Sequence, residues 1–222
     1  MLDLVLPEQQ FGYRPGRSAL LAAGSLLQHT RAELEKPGGK LYAVDYSKAF
    51  DLVNRELTIN KPEGLIGRTE LMTLISNILA DNQIQIDDGI GKSHWLIQTN
   101  GVLQGNPLSP ILFNALTHDM GAKIKEETDT VTYMYAEDMA LVSETIPDLQ
   151  KAVDLLCIWA QTNKIKINAE KTELVTFRKG GKLAESERIK CNGKHFQRVN
   201  HFKYLGLTIQ TMGKCFRIYL RS

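Results

Sequence analysis

"TYMYAEDMALVS", residues 132–143, sets two adjacent acids between two short apolar runs. Tyr133 and Tyr135, then Met139 and Leu141, alternate with smaller or polar neighbours. That period of two reads as strand, tight turn, strand. Glu137 and Asp138 fall at the tip. Adjacent carboxylates repel, so a rigid hairpin that holds two of them calls for a cation.

A third acid of the same kind stands 92 residues earlier, in "KLYAVDYS" (40–47), which reads as a buried strand. Asp45 sits among Tyr42, Ala43 and Val44, and a carboxylate in such a run is costly unless paired or metal-bound. Asp45, Glu137 and Asp138 together suit a hard divalent cation. Mg²⁺ takes oxygen ligands and is usually held by a few carboxylates plus substrate phosphates. Two such ions ~3.5–4 Å apart serve in-line displacement at phosphorus. Taken singly, Asp45 also reads as an ordinary strand-end acid and the pair as a polar hairpin tip.

"NGVLQGNPLSPILFN" (100–114) adds a tight loop with Gly101, Gly105 and Pro107 leading into a helix. Ser109 is the expected cap, with Pro110 in the first turn where its missing N–H costs nothing. Gly105 allows close backbone approach, a helix N-terminus favours anions, and Gln104 offers both donors and an acceptor to a nucleotide. Plain helix capping explains the same residues.

The whole chain limits the choices further. Its 222 residues, 43% apolar, are enough to bury a substantial core. No apolar run reaches the roughly 18 residues of a membrane span, and the first ten residues lack a signal-peptide pattern. Cys157, Cys191 and Cys215 are odd in number and widely spaced, which argues against a disulfide framework or zinc site and suits a reducing compartment, cytoplasmic or nuclear. The net charge of +2 conceals an asymmetry: residues 1–160 carry 13 Lys/Arg and 21 Asp/Glu, residues 161–222 carry 14 and 4. Such a basic third suits nucleic acid, or a solvated surface.

With no repeat or low-complexity linker, one continuous domain is expected. Helices are expected at 18–36, 69–80, 108–120 and 147–162. Hairpins are expected at 82–98, 131–142 and 198–209, and short strands at 164–168 and 173–177. This order suggests an α+β fold, an antiparallel sheet backed by helices.

Five blocks, "AVDYSKAFDLVN" (43–54), "GVLQGNPLSPILFN" (101–114), "YAED" (135–138), "NAEKTELVTF" (168–177) and "FKYLGL" (202–207), occur in the order seen in reverse transcriptases. They most resemble those of non-LTR retrotransposons, and "EQQFGYRPGRS" (8–18) matches the segment that precedes them. The resemblance implies a right-hand polymerase palm: partial fingers over about residues 1–40, palm over about 41–178, and a basic end with a primer-grip-like hairpin over about 179–222. It implies RNA-directed DNA synthesis from dNTPs on an RNA template with a DNA primer, using two Mg²⁺ ions or Mn²⁺, without a membrane. Asp45 matches the first catalytic Asp, and Glu137 and Asp138 occupy the places of an Asp-Asp pair, so the three are the implied metal ligands. Phe50 matches the aromatic gate against a ribose 2′-hydroxyl. Gln104 and Gly105 match the nucleotide-lining loop, and Lys171 the basic residue assisting pyrophosphate departure. Phe202, Lys203, Tyr204, Leu205 and Gly206 match the primer grip. Arg14 and Arg17 lie where finger residues meet template.

Several residues depart from the family. Glu137 stands where Asp is typical; its extra methylene moves the carboxylate roughly 1–1.5 Å, beyond the ~0.5 Å tolerance of a preorganised site. Asn106 replaces a common acid. Pro62 is expected to interrupt "ELTINKPEGLIG", a stretch whose relatives are helical, at ~3 kcal/mol or more. Incomplete fingers and a missing thumb and endonuclease suggest a fragment or decayed copy. The expectation is a reverse transcriptase domain with weak or absent activity. The alternative is a noncatalytic nucleic-acid-binding remnant; a palm-type nucleotidyl cyclase shares the acids but leaves "LQGNPLSP" and "FKYLGL" unexplained.

Overall fold

The computed structural model describes residues 6–46, 54–80, 83–97, 106–165, 167, 172–180, 184–212 and 215–220. Helix α1 (Ala19–Glu35) starts where the Ser18 hydroxyl accepts from the Leu21 amide, and ends before Pro37. Strand β1 (Lys40–Tyr46) follows. Helices α2 (Arg55–Ile66) and α3 (Glu70–Ala80) precede a small hairpin, β2 (Gln83–Ile84) with β3 (Leu96–Ile97). Helices α4 (Ser109–Leu116) and α5 (Met120–Glu127) lead to the hairpin β4 (Val131–Tyr135) and β5 (Asp138–Ser143). Helix α6 (Ile146–Thr162) and strand β6 (Glu173–Arg178) complete the central layer. The chain then forms β7 (Lys190–Cys191), β8 (Lys194–His195), β9 (Gln197–Val199), β10 (His201–Tyr204), β11 (Leu207–Met212) and β12 (Cys215–Leu220).

The main sheet has the order β4-β5-β1-β6-β9, antiparallel except for the parallel β6–β9 pair. Strand alternation divides its side chains between two cores. One face sets Tyr42, Val44, Met139, Leu141 and Leu174 against Phe113, Ile124, Leu149 and Trp159 from α4, α5 and α6. The other sets Leu41, Ala43, Ala140, Val142, Val175 and Phe177 against Ala22 and Leu26 of α1 and Phe202, Tyr204 and Ile209 of a second sheet, β10-β11-β12. Leu26 and Leu149 are fully buried, a gain of roughly 1.5–3 kcal/mol for each such side chain. This α+β arrangement, a largely antiparallel sheet backed by helices, is the expected one. Among the described residues no helix is long and apolar enough to cross a membrane.

Five local expectations change. Pro62 does not break α2, which runs through it. Pro62 is buried, α2 packs on α4, and Lys61 reaches the Leu116 carbonyl and the Asp119 carboxylate, so tertiary contacts offset the missing backbone bond. The helix expected over 108–120 is two helices divided at 117–119, and Ser109 does not cap the first. Asn106 closes that junction instead: its side-chain oxygen accepts from the Leu108 amide, an Asx turn. "KIKIN" shows no strand among its described residues: Lys164 takes a left-handed φ of 56° and the Ile165 amide donates to the Ala160 carbonyl, closing α6. The hairpin expected over 198–209 divides between sheets, because β9 pairs with β6 while β10 turns back through Leu205 and Gly206, both at positive φ, into β11. The cysteine count also misled: Cys157 of α6 and Cys191 of β7 form a disulfide. The packing of β7 on α6 unites them across 34 residues, a convergence that local spacing does not encode.

Candidate active site

Asp45 lies near the end of the central strand β1, opposite Ala140 of β5 on one side and Glu173 of β6 on the other. Asp138 is two residues before Ala140 on β5, hence on the same sheet face as Asp45 and diagonally adjacent to it. Glu173 alternates with Val175 and Phe177 and shares that face. Three carboxylates from three neighbouring strands therefore face the same side, at the margin of the core shared with the β10-β11 hairpin.

The electrostatics reflect this gathering. Asp45 is half-buried, and its carboxyl is pushed up to about 7, first by burial and then by the negative fields of Asp138 and Glu173. Tyr204, 2% exposed, also has its ionisation raised, by burial first and then by Asp138 and Asp45. Burial pushes Tyr133, on the same face, up to about 12. Hard oxygen donors in a field this negative suit a divalent cation. Among the described residues, no group of three His, Cys, Asp or Glu is gathered closely enough to hold a metal by itself. The donors that fit are Asp45 and Asp138, with room in the coordination shell for phosphate oxygens and water.

Glu137 follows Ala136 in the two-residue turn between β4 and β5. It stands at the same end of the sheet as Asp45. The aromatic gate position Phe50, the loop residues Gln104 and Gly105, and Lys171 lie outside the described residues. The hairpin of Phe202–Gly206 divides by exposure. Phe202 and Tyr204 are buried, with Phe202 edge-on to Phe177 at 6.0 Å, and they anchor the hairpin on the acid-bearing face. Lys203 and Gly206 are exposed and Leu205 is half-buried at the turn.

Arg14 and Arg17 have local work. Arg14 donates to the Pro7 carbonyl at 2.6 Å and to that of Gln10 at 3.3 Å. Arg17 donates to the Glu8 carbonyl at 2.7 Å and lies over the Phe11 ring, 5.1 Å from its centroid. Both shape the segment before α1. Sequence reading missed Glu173 beside Asp45. The signal was available in "ELVTF", whose alternation places Glu173 with Val175 and Phe177 on one face, but nothing local says that this face is the one Asp45 uses.

A largely antiparallel sheet backed by helices, with Asp45 on its central strand, is the arrangement of a polymerase palm. The solved structures similar to it agree on the fold. Telomerase from Candida tropicalis superposes with a TM-score of 0.59 at 16% identity, covering 88% of this chain and 39% of that one. Telomerase from Candida albicans gives 0.60 at 13% identity, covering 90% and 34%.

Residues 2–209 match the family described as reverse transcriptase (RNA-dependent DNA polymerase), and the chain belongs to that family. Among curated relatives, the RNA-directed DNA polymerase from mobile element jockey of Drosophila melanogaster is 27% identical over 92% of this chain and 23% of its own length. The Pol polyprotein from the type-1 retrotransposable element R2 of Popillia japonica is 25% identical over 85% of this chain and 34% of its own. The chain thus spans between about a fifth and a third of the length of the curated relatives it matches. The family to which it belongs uses divalent metal ions.

Proposed function

We propose that this chain is the catalytic palm of a non-LTR retrotransposon reverse transcriptase, transferring a deoxynucleotide from a dNTP to a primer 3′-hydroxyl on an RNA template. The observation that carries the reading is the shared face of Asp45 and Asp138 across the β1–β5 ladder, where burial first, and then the charges of Asp138 and Glu173, push Asp45 up to about 7. Asp45 and Asp138, with Glu137 beside them, would hold Mg²⁺ or Mn²⁺. Bound there, two cations would supply charge neutralisation for the triphosphate and make the primer hydroxyl a better nucleophile.

The chain's own groups do the rest. The antiparallel ladders fix Asp45 and Asp138 on rigid strands, so little reorganisation remains at the moment of reaction. The β10-β11 hairpin, anchored by Phe202 and Tyr204, presents Lys203, Leu205 and Gly206 toward a primer end. The roles of Phe50 as 2′-hydroxyl gate, Gln104 and Gly105 as nucleotide-lining residues, and Lys171 as the basic residue assisting pyrophosphate departure belong to the same reading. The excess of basic residues after position 160 supplies phosphate contacts, whose strength falls steeply with salt.

Glu137 sets the level of activity. It keeps the charge of the usual Asp but displaces it, and a misplacement of ~1 Å costs on the order of 10²-fold in rate. Primer extension on an RNA template with Mg²⁺ or Mn²⁺ tests the reading. Slow extension that Asp45→Ala abolishes is the expected result. Salt-dependent RNA binding that survives Asp45→Ala, with no extension under either metal, favours a noncatalytic nucleic-acid-binding remnant instead.

A further inference from the structure

The turn that carries Glu137 is held from outside its own hairpin. Ala136 takes a left-handed φ of 53°, a region that is costly for an L-residue with a Cβ. Its amide is buried inside the protein and points away from the β4–β5 ladder. It donates to the side-chain oxygen of Gln10 at 3.0 Å, across 126 residues of sequence. The same oxygen accepts from the Gly12 amide at 2.9 Å. Two N–H donors converging on one atom require oxygen there, which fixes the orientation of the carboxamide.

The segment bearing Gln10 is itself secured. The Phe11 amide donates to the Met134 carbonyl at 2.7 Å, and the Met134 amide donates to the Gln9 carbonyl at 2.9 Å, a parallel bridge along β4. Asn114 of α4 donates to the Gly12 carbonyl at 2.7 Å. At Gly12 any side chain is excluded: a Cβ would stand 2.4 Å from the Ala136 nitrogen and 3.0 Å from the Tyr135 carbonyl carbon. The β4–β5 turn therefore rests directly on the backbone of residue 12.

A packing role alone does not account for these residues. Gln10 and Asn114 are each 1% exposed, and among the described residues the Gln10 Nε2 and Asn114 Oδ1 atoms meet no hydrogen-bond partner. Each such buried atom carries a desolvation penalty with no bond to offset it. Met or Leu would fill similar volumes without that penalty. The amides remain useful because they bond the turn and the strand that docks beside it.

We propose that Gln10, seated by Gly12 and Asn114, is the positioning device that fixes the Ala136–Glu137 turn and so sets where Glu137 and Asp138 place their charges. The proposal rests on the polymerase reading for its consequence in rate, but its structural core is independent of turnover. Gln10 is buried and acts through the Ala136 amide.

Gln10→Met tests it, since the side chain keeps its length and loses the acceptor. In metal-free protein, backbone amide exchange at Ala136 is expected to rise about tenfold, the equivalent of one lost hydrogen bond. Half-saturation by Mn²⁺, read by electron paramagnetic resonance without turnover, is expected to weaken several-fold. In primer extension, kcat is expected to fall ~10–100-fold while KM for dNTP changes by less than about threefold, because displacement of the acids affects the reacting geometry more than nucleotide docking. Asn114→Leu, which withdraws support from Gly12, is expected to give the same signature at smaller amplitude and serves if Gln10→Met does not fold. Ala136 exchange and Mn²⁺ half-saturation both within twofold of the unmodified chain, in a folded variant, overturn the positioning role. A chain whose Ala136 exchange responds to Gln10→Met, yet which never extends a primer, upholds the clamp and counts against the polymerase reading instead.

Discussion

Asp45 and Glu173 stand directly opposite each other in the β1–β6 ladder, two carboxylates paired across strands that would ordinarily match an acid with a base or an apolar residue. Like charges so placed destabilise the fold, and the diagonal Asp138 adds to the strain. The gathered carboxylates thus cost the fold stability where they stand. Glu173→Gln is expected to raise the melting temperature of metal-free protein at neutral pH, by removing the weaker of the two charged neighbours of Asp45. Differential scanning calorimetry in EDTA measures it; an unchanged or lowered melting temperature contradicts the claim.

Asp45 itself gives a sharper pH dependence. Its folded-state value of about 7 lies above the ordinary 3.8, so the folded protein binds the proton more tightly than the unfolded chain does. The penalty for ionising Asp45 is absent below the lower value and complete above the upper one. Stability of metal-free protein should therefore decline as pH rises from about 4 to about 7, by on the order of 2–4 kcal/mol from this group. Asp45→Asn should remove most of that decline and abolish primer extension. Urea denaturation in EDTA across this range is the check, and a variant whose pH profile matches the unmodified chain refutes the assignment.

Much of this site was legible from residues 132–143, because a period of two and a two-residue turn are local facts. Asp45 was legible as a costly acid in an apolar strand. Its neighbours were not, since register between β1, β5 and β6 depends on which strands meet, and that is decided by packing over the whole layer. Glu173 went unnoticed for this reason. So did the Gln10–Ala136 bond and the Cys157–Cys191 disulfide, both products of tertiary convergence. Pro62 misled in the opposite direction: its local penalty is real, but buried packing and the Lys61 contacts outweigh it.

Glu137→Asp restores the shorter reach typical of the family. The expected outcome is a rise in primer-extension rate with Mg²⁺ of up to about 10²-fold, with a smaller gain under Mn²⁺, whose coordination geometry is less demanding than that of Mg²⁺. Single-turnover extension by both proteins measures it. If the variant gains nothing, the displaced carboxylate is not what limits this chain.

Asp119 joins three helices. Its carboxylate accepts from Lys61 of α2 at 2.9 Å and from the Trp159 indole of α6 at 2.8 Å, and Lys61 lies 4.9 Å from the Trp159 ring centroid. Burial alone would push Asp119 up, but the Lys61 and Trp159 bonds outweigh it and hold the carboxyl below its usual value. A depressed carboxyl contributes stability above its unfolded value and loses it as pH falls through the folded one. Asp119→Ala leaves the indole N–H and the ammonium without their shared acceptor, so a loss of roughly 1–3 kcal/mol is expected at pH 7. The difference from the unmodified chain should shrink in acid. Urea denaturation at pH 7 and near pH 3 measures both.

The Cys157–Cys191 disulfide closes a loop of 34 residues and fastens the β7-β8 hairpin to α6. Gln150 reinforces the same junction, donating to the Lys190 carbonyl at 2.8 Å and accepting from the Lys190 amide at 2.9 Å. Loop closure of this length restricts the unfolded chain by about 3–4 kcal/mol on the chain-entropy model. Full reduction should lower the unfolding free energy by that order, while the Cys157→Ala/Cys191→Ala protein should be insensitive to reductant. Because the hairpin lies against α6, on the helix-covered side of the main sheet, amide exchange at Ala136 and Mn²⁺ half-saturation should change little on reduction. A large change in either would mean that the helical layer transmits strain through the sheet to the acids on its other face.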